Sequence, residues 1–148
     1  MSPIGKILVA TDFSPHAARA LEYAVDWAKT LGATIDVVHV YEAPLVELTP
    51  YHLAIPLKVL EGVRDAARER LEGLREKVAA EGIATAVHLR EGNSAEGVAD
   101  AARELGADLI VMGTRGNTGL KHVLLGSVAE RTLRLAPCPV LTLHAAGA

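Results

Sequence analysis

The sequence has little cysteine and no histidine cluster, and both shortages limit its function. Cys138 is the single cysteine among 148 residues, so the chain cannot form an internal disulfide. This usage fits a reducing compartment, and we expect a cytoplasmic protein. The six histidines show no zinc-ligand spacing such as His-x3-His, and one cysteine cannot complete a ligand set. A site that binds only a metal ion is therefore not expected.

Long apolar runs and basic runs are also missing. No stretch approaches the ~18 consecutive apolar residues of a membrane span. The chain passes from Met1 almost directly into the apolar run at Ile7, so we expect no charged n-region followed by a signal-peptide core. The formal net charge is −3, and lysine and arginine form no cluster. We therefore expect neither a membrane nor a nucleic acid as a partner.

Short apolar runs alternate with stretches of helical periodicity. With 148 residues, of which 50% are apolar, the chain is long enough for one domain, residues 1–148. Ser14 is an N-cap candidate, and Gly32 and Gly106 are helix-ending glycines in two similar helix-to-strand junctions. The predicted strands are residues 7–10, 34–41, 83–89, 109–112 and 140–143; the predicted helices are residues 15–31, 57–81, 94–105 and 126–135. The core face predicted for the helix at 57–81 consists of Leu60, Val63, Ala67, Leu71, Leu74 and Val78.

This alternation predicts a three-layer, doubly wound α/β fold with a five-stranded parallel sheet and four helices. The runs at Ile7 and Leu109 are apolar throughout, which places them at the centre of the sheet. The stretch from Ile83 alternates and suits an edge. Strand order 3-2-1-4-5 satisfies both conditions.

In that order the topology reverses between the first and fourth strands, where open α/β sheets bind ligands. The carboxyl ends of these strands carry Asp12 and Gly113. Asp12 could accept hydrogen bonds from a ribose, help to hold a divalent cation, or serve as a turn residue that caps a helix. Two stretches a hundred residues apart should therefore face one crevice.

The stretch from Gly113 to Ser127 is rich in glycine and connects a buried strand to a helix. Glycines let backbone N–H groups approach an anion, and a helix N-terminus adds unpaired donors. The spacing, Gly113-x2-Gly116-x9-Gly126-Ser127, is neither the dinucleotide fingerprint nor a Walker A loop. The pattern indicates a nucleotide phosphate site of another kind.

This spacing resembles that of the ATP-binding branch of the universal stress protein family. The similarity covers the whole chain, beginning with residues 9–14 and continuing through His39 and Val40. Members of that family have a five-stranded parallel sheet in the order inferred above, and they pair as dimers through the last strand. The resemblance therefore implies a homodimer through Val140–Leu143, whose apolar edge would otherwise lie bare.

The resemblance also implies a role for each site residue. ATP would bind with Mg²⁺ or Mn²⁺ on its phosphates, and Asp12 would contact the ribose. Arg115 could reach a phosphate or lie in solvent. The phosphates would be held by Gly113, Gly116, Gly126 and Ser127, and the adenine pocket would be formed by Val40 and Met112 with Ala10 and Thr11 close by.

The function expected from this site is an ATP-binding module of the stress response with little or no ATP turnover. A slow ATPase is an alternative, and so is an enzyme of the wider adenine-nucleotide α-hydrolase-like group. That group's Ser-Gly-Gly-x-Asp-Ser loop is absent, since residues 11–14 read Thr-Asp-Phe-Ser. A nucleotide-free dimeric scaffold is a third reading. The proline-containing loop at 42–56 is either packed on the surface or a lid or protein-binding surface.

Overall fold

The computed structural model describes residues 2–43, 56–114 and 125–144. Strands and helices alternate strictly along these ranges. Arg115, Gly116 and most of the 42–56 loop lie outside the described residues. The elements are β1 (Lys6–Ala10), α1 (Pro15–Leu31), β2 (Thr34–Tyr41), α2 (Leu57–Ala79), β3 (Thr85–Glu91), α3 (Ser94–Leu105), β4 (Leu109–Gly113), α4 (Ser127–Leu135) and β5 (Val140–Leu143).

The five strands form one parallel sheet in the order β3-β2-β1-β4-β5, which confirms the predicted topology. β1 lies at the centre, where Val9 is in register with Val37 of β2 and with Val111 of β4. All three valines are buried, as expected for a strand covered on both faces. β3 is an edge strand with mostly half-buried residues.

Successive residues of β1 face opposite sides of the sheet, and each side has its own core. Ile7 and Val9 pack with the buried residues of α1 and α2. Leu8 and Ala10 pack with those of α3 and α4. This arrangement gives the three layers predicted from the sequence. Cys138 packs at the margin of the α3/α4 core, and its burial raises the pKa of the thiol.

Side-chain caps and left-handed glycines set the ends of α1 and α3. The Ala17 N–H donates to the Ser14 hydroxyl at 3.2 Å, and the Glu96 N–H donates to the Asn93 side-chain oxygen at 3.1 Å. Each helix ends at a glycine with φ of 67°, Gly32 in α1 and Gly106 in α3. The similar sequences at these two junctions therefore code for the same local geometry.

The first half of α2 departs from the prediction. Its periodicity assigns Leu60 and Val63 to the core face, but Val63 is 50% exposed and the first residue of α2 to be buried is Ala67. The reason is that the first turns of α2 do not pack on the sheet. The helix also ends two residues earlier than predicted and β3 begins two residues later, because a turn with Gly82 at φ of 80° separates them.

Candidate functional site

A cavity of about 370 Å³ lies beyond the carboxyl ends of β1 and β4. α1 leaves β1 toward one face of the sheet and α4 leaves β4 toward the other, so the cavity occupies the point where the topology reverses. Its volume falls within the ~300–1,000 Å³ of small-molecule sites. It is lined by Ala10, Thr11, Asp12, Ala17, Val38, His39, Val40, Ser94, Val98, Met112, Gly113, Thr114, Gly126, Ser127, Val128 and Ala129.

The cavity brings together the two distant stretches that are predicted from the sequence to face one crevice. Of the ten residues assigned to a nucleotide site, Arg115 and Gly116 lie outside the described residues. Their roles toward a ligand stay a prediction. The other eight all line the cavity: Ala10, Thr11, Asp12, Val40, Met112, Gly113, Gly126 and Ser127.

One wall of the cavity is apolar. Ala10, Val40 and Met112 belong to the α3/α4 core and expose less than a tenth of their surface. Gly97 of α3 packs directly on this wall, since a Cβ at that position would lie 2.8 Å from both Val40 methyl carbons. A glycine inside a helix costs about 1 kcal/mol relative to alanine. Its presence here is explained by the close approach of α3 to Val40.

The β1–α1 turn supplies two polar residues of the cavity lining, Thr11 and Asp12. The Ser14 N–H donates to Asp12 Oδ1 at 2.9 Å, and the Phe13 N–H donates to the Thr11 hydroxyl at 3.0 Å. Asp12 is therefore a turn residue whose carboxylate is fixed where it also lines the cavity. Among the described residues that line the cavity, Asp12 is the one carboxylate.

The N-termini of three helices meet at the cavity, through Ala17 of α1, Ser94 of α3 and Ser127 of α4. α1 and α3 are capped by side chains, as described above. α4 begins after Gly126, which has no side chain to accept a hydrogen bond from the first turn. Among the described residues, the N–H groups at this end therefore have no side-chain cap, and with the helix dipole they favour an anion.

Gly113 has a packing role in addition to the phosphate-binding role predicted from the sequence. A Cβ at this position would lie 2.8 Å from the Cβ of His16 and 3.0 Å from its carbonyl carbon. Contacts this short do not occur in real proteins, so α1 could not pack on the end of β4 with a larger residue there. Gly113 would be required even without a phosphate.

Thr114, Ser94 and His144 were not assigned to the site from the sequence. Thr114 is buried and lines the cavity, and its hydroxyl lies 3.0 Å from Nδ1 of His144, the residue after β5. Ser94 opens α3. Ser94 could have been predicted from its position in a strand-to-helix turn, since Asp12 and Ser127 were identified from the same kind of position.

A larger groove of about 780 Å³ lies between α2 and the edge strand β3. Charged side chains such as Arg68, Glu69 and Glu72 line it, and it contains none of the residues predicted for the site. The described residues contain no group of three or more histidine, cysteine or acidic side chains placed to hold a metal ion. They also contain no helix with the length and hydropathy needed to cross a membrane.

The fold and the cavity define a class: a doubly wound α/β protein with a ligand cavity at the topological switch point and an open helix N-terminus within it. The comparison with family models then identifies the family. The model of the universal stress protein family matches residues 3–144, and the chain belongs to that family.

Individual relatives agree with this assignment. A universal stress protein from Thermus aquaticus is 40% identical over 141 residues, which cover 91% of this chain and 95% of the relative. Universal stress protein YxiE from Bacillus subtilis is 34% identical over 142 residues, covering 92% and 96% respectively. The similarity thus extends over nearly the full length of each protein.

Solved structures share the fold. The hypothetical protein MJ0577 has a TM-score of 0.86 at 24% identity, covering 99% of this chain and all of its own. A universal stress protein from Archaeoglobus fulgidus in complex with dAMP has a TM-score of 0.65 at 26% identity, and the match covers 95% of this chain and 98% of the relative. A universal stress protein in complex with cAMP has a TM-score of 0.72 at 22% identity, and the match covers 98% of this chain and 100% of the other.

Proposed function

We propose that this protein is a cytoplasmic, ATP-binding universal stress protein, a module whose bound nucleotide sets its conformation or its partners. The observation that carries the proposal is the cavity at the switch point, which combines an apolar wall, a fixed carboxylate and the N-terminus of α4, whose N-cap Gly126 supplies no side-chain cap. These are the three kinds of group that an adenine base, a ribose and a phosphate chain require.

The proposed arrangement places each part of the nucleotide against matching chemistry. Adenine lies against Val40 and Met112, and the ribose hydroxyls donate to Asp12. The phosphates lie at Gly126 and Ser127, where the first turn of α4 offers N–H groups and a hydroxyl. Mg²⁺ or Mn²⁺ arrives on the phosphates and needs few protein ligands, because phosphate oxygens and water complete its coordination.

The comparisons support nucleotides as the class of ligand. The A. fulgidus relative is in complex with dAMP, and a structural neighbour is in complex with cAMP. Both ligands contain an adenine and a phosphate. The choice of ATP for this chain rests on the glycine spacing from Gly113 to Ser127.

Little or no turnover is expected. Hydrolysis needs a group that orients or activates water. Asp12 is the one carboxylate among the described lining residues, and one of its oxygens already accepts from the Ser14 N–H. If Mg-ATP is nevertheless hydrolysed at a rate that Gly126→Asp abolishes, the slow-ATPase alternative replaces this part of the proposal.

The proposal is tested by denaturing the purified protein and identifying the released small molecules by mass spectrometry, together with calorimetric titration of the stripped protein with Mg-ATP. We expect either about one adenine nucleotide released per chain or a one-site binding isotherm. Release of no nucleotide combined with no heat of binding would contradict the proposal.

We further propose a homodimer through β5. β5 is the other edge of the sheet and pairs with β4 on one side. The Pro139 carbonyl accepts from the Ile110 N–H of β4, and the Leu143 carbonyl accepts from Thr114, the residue after β4. Thr142, at the alternate position, therefore directs its N–H to the open edge.

Thr142→Pro removes this outward donor without removing a bond to β4, and proline is tolerated on edge strands. We expect the wild type to sediment as a dimer and the variant as a monomer. A wild type that is monomeric at high concentration would contradict the dimer.

A further inference from the structure

The β1–α1 turn contains an unusual backbone conformation. Phe13 has φ of 63°, and within the described residues it is the one non-glycine residue with a positive φ. The left-handed region is unfavourable for an aromatic residue, and such outliers persist only where the surroundings enforce them. The structure must therefore contain contacts that hold Phe13 in place.

Two side chains from other elements supply these contacts. The His39 ring of β2 lies 4.5 Å from the Phe13 ring, measured between centroids, and the Arg70 guanidinium of α2 lies 4.2 Å above the Phe13 ring. Cation–π contacts of this length are attractive. We name this set of three residues, Phe13, His39 and Arg70, the Phe13 clamp.

Phe13 lies on the opposite side of the sheet from the apolar cavity wall, and its clamp partner His39 also lines the cavity. Phe13 packs against the α1/α2 core, whereas the preceding residues, Thr11 and Asp12, line the cavity. The left-handed residue is the point where the chain turns from one side to the other. Holding Phe13 in place therefore fixes the direction of Asp12.

Hydrogen bonds connect the clamp to both cavity residues. Nδ1 of His39 donates to the Thr11 carbonyl at 2.7 Å, and the Phe13 N–H donates to the Thr11 hydroxyl at 3.0 Å. The next amide, that of Ser14, donates to Asp12 Oδ1 at 2.9 Å. The clamp thus contacts Thr11 directly and Asp12 through the turn.

We infer that Phe13 is a positioning residue for the ligand cavity: clamped between His39 and Arg70, it holds the turn that aims Thr11 and Asp12 at the nucleotide. This inference rests on the proposed function for the identity of the ligand. The clamp itself does not depend on that function, so the two can fail separately.

A first test needs no ligand. Hydrogen exchange of the Phe13 and Ser14 amides is measured in the wild type and in Phe13→Ala, which keeps the unfavourable conformation but loses the clamp. We expect exchange at both amides to accelerate about tenfold. Alanine is also disfavoured in the left-handed region, and without the ring contacts nothing offsets the cost of that conformation. Phe13→Gly, which adopts that region freely, should give an intermediate rate.

Arg70→Ala and Arg68→Ala form a matched pair on α2. Arg70 contacts the Phe13 ring, whereas Arg68 lines the groove beside β3. Arg70→Ala should accelerate exchange at the two turn amides by about threefold, and Arg68→Ala should leave it unchanged. If Phe13→Ala fails to fold, Phe13→Gly and Arg70→Ala carry the test. Wild-type exchange rates in these variants would overturn the inference.

A second test asks whether Phe13 acts through Asp12. The affinity for Mg-ATP is measured for Asp12→Ala, Phe13→Ala and the double variant. We expect each single substitution to lower the affinity and the double variant to bind no more weakly than Asp12→Ala, because the two residues then act through one contact. A purely structural role would give additive losses, which would overturn the inference.

The two tests separate the possible failures. If the wild type does not bind Mg-ATP but the turn amides respond to loss of the clamp, the proposed function fails and the positioning of Asp12 stands. If Mg-ATP binds and neither the exchange rates nor the double variant show coupling, the positioning role fails alone.

Discussion

Two strand-to-helix connections meet at the cavity, and they differ in how they satisfy their own backbone. In the β1–α1 turn, side chains of Thr11, Asp12 and Ser14 accept the N–H groups of Phe13, Ser14 and Ala17. At the start of α4, Gly126 contributes no side-chain acceptor, and its own N–H donates to the Thr114 carbonyl at 2.5 Å.

The difference indicates that the two connections have different roles toward a ligand. The β1–α1 turn is completed by the protein itself, so it is a fixed wall against which a ligand is positioned. At the start of α4 the N-cap residue supplies no side-chain acceptor, and none comes from the other described residues, so an anionic ligand can supply what a capping residue supplies elsewhere. Substitutions that exchange these properties test the comparison.

The largest expected effect is on ligand affinity in Gly126→Asp, which gives α4 the cap it lacks. φ and ψ of Gly126 are −69° and 161°, which suit any residue, so the fold should be kept or slightly stabilised. A carboxylate next to the phosphates would repel them by ~4 kcal/mol at ~4 Å. Calorimetry should show Mg-ATP affinity falling more than about a hundredfold.

The neutral cap Gly126→Asn is the control for charge. The asparagine side chain competes for the same N–H groups but does not repel the phosphates, so the affinity for Mg-ATP should fall only about tenfold. Equal affinity in the wild type and both variants would mean that phosphates do not bind at α4.

The second effect concerns stability rather than affinity. Gly113→Ala places a Cβ against His16, and we expect it to lower the free energy of unfolding by about 1–3 kcal/mol. Gly126→Ala, at φ and ψ values that any residue adopts, is the matched control and should be near wild type. Urea denaturation of the two variants measures the difference, and equal midpoints would refute the packing role of Gly113.

A third prediction compares the serines of the two connections. Ser14→Ala removes the cap of α1 and should cost about 1 kcal/mol of stability with little change in Mg-ATP affinity. Ser127→Ala should lower the affinity for Mg-ATP with little change in stability, since the Ser127 hydroxyl caps no helix and faces the proposed phosphates. Parallel thermal denaturation and calorimetry will show whether the two effects separate; if both variants lose the same property, the comparison fails.

The smallest expected effect is at the apolar wall. Gly97→Ala brings a Cβ against the Val40 methyl groups and forces Val40 toward the cavity. The gain in helix propensity, about 1 kcal/mol, offsets the strain, so stability should change little. Mg-ATP should bind severalfold more weakly. Unchanged affinity would show that the wall does not contact the base.

The sheet topology was predictable because its causes are local and repeated. Strands with unbroken apolar runs, such as β1 and β4, must be covered on both faces, and that requirement orders the sheet. The same reasoning placed Asp12 and Gly113 at one crevice. Ser14, Gly32 and Gly106 set helix ends through their own side chain or backbone, so they too could be identified in advance.

Features that depend on contacts between elements could not be predicted. The left-handed conformation of Phe13 follows from two partners far away in sequence, His39 and Arg70. The need for glycine at Gly113 follows from the position of α1. Periodicity also overstated how much of α2 packs on the sheet, because it reports one apolar face without showing how far the sheet extends beneath it.

The central claim is that the anion binds at the start of α4, and the most direct measurement is the amide nitrogen–proton spectrum with and without Mg-ATP. We predict that the amides of Ser127, Val128 and Ala129 shift most. The side-chain-capped amides of Ala17 and Glu96 should move little. Larger shifts at Ala17 or Glu96 than at the first turn of α4, or no shift at any of them, would contradict the account.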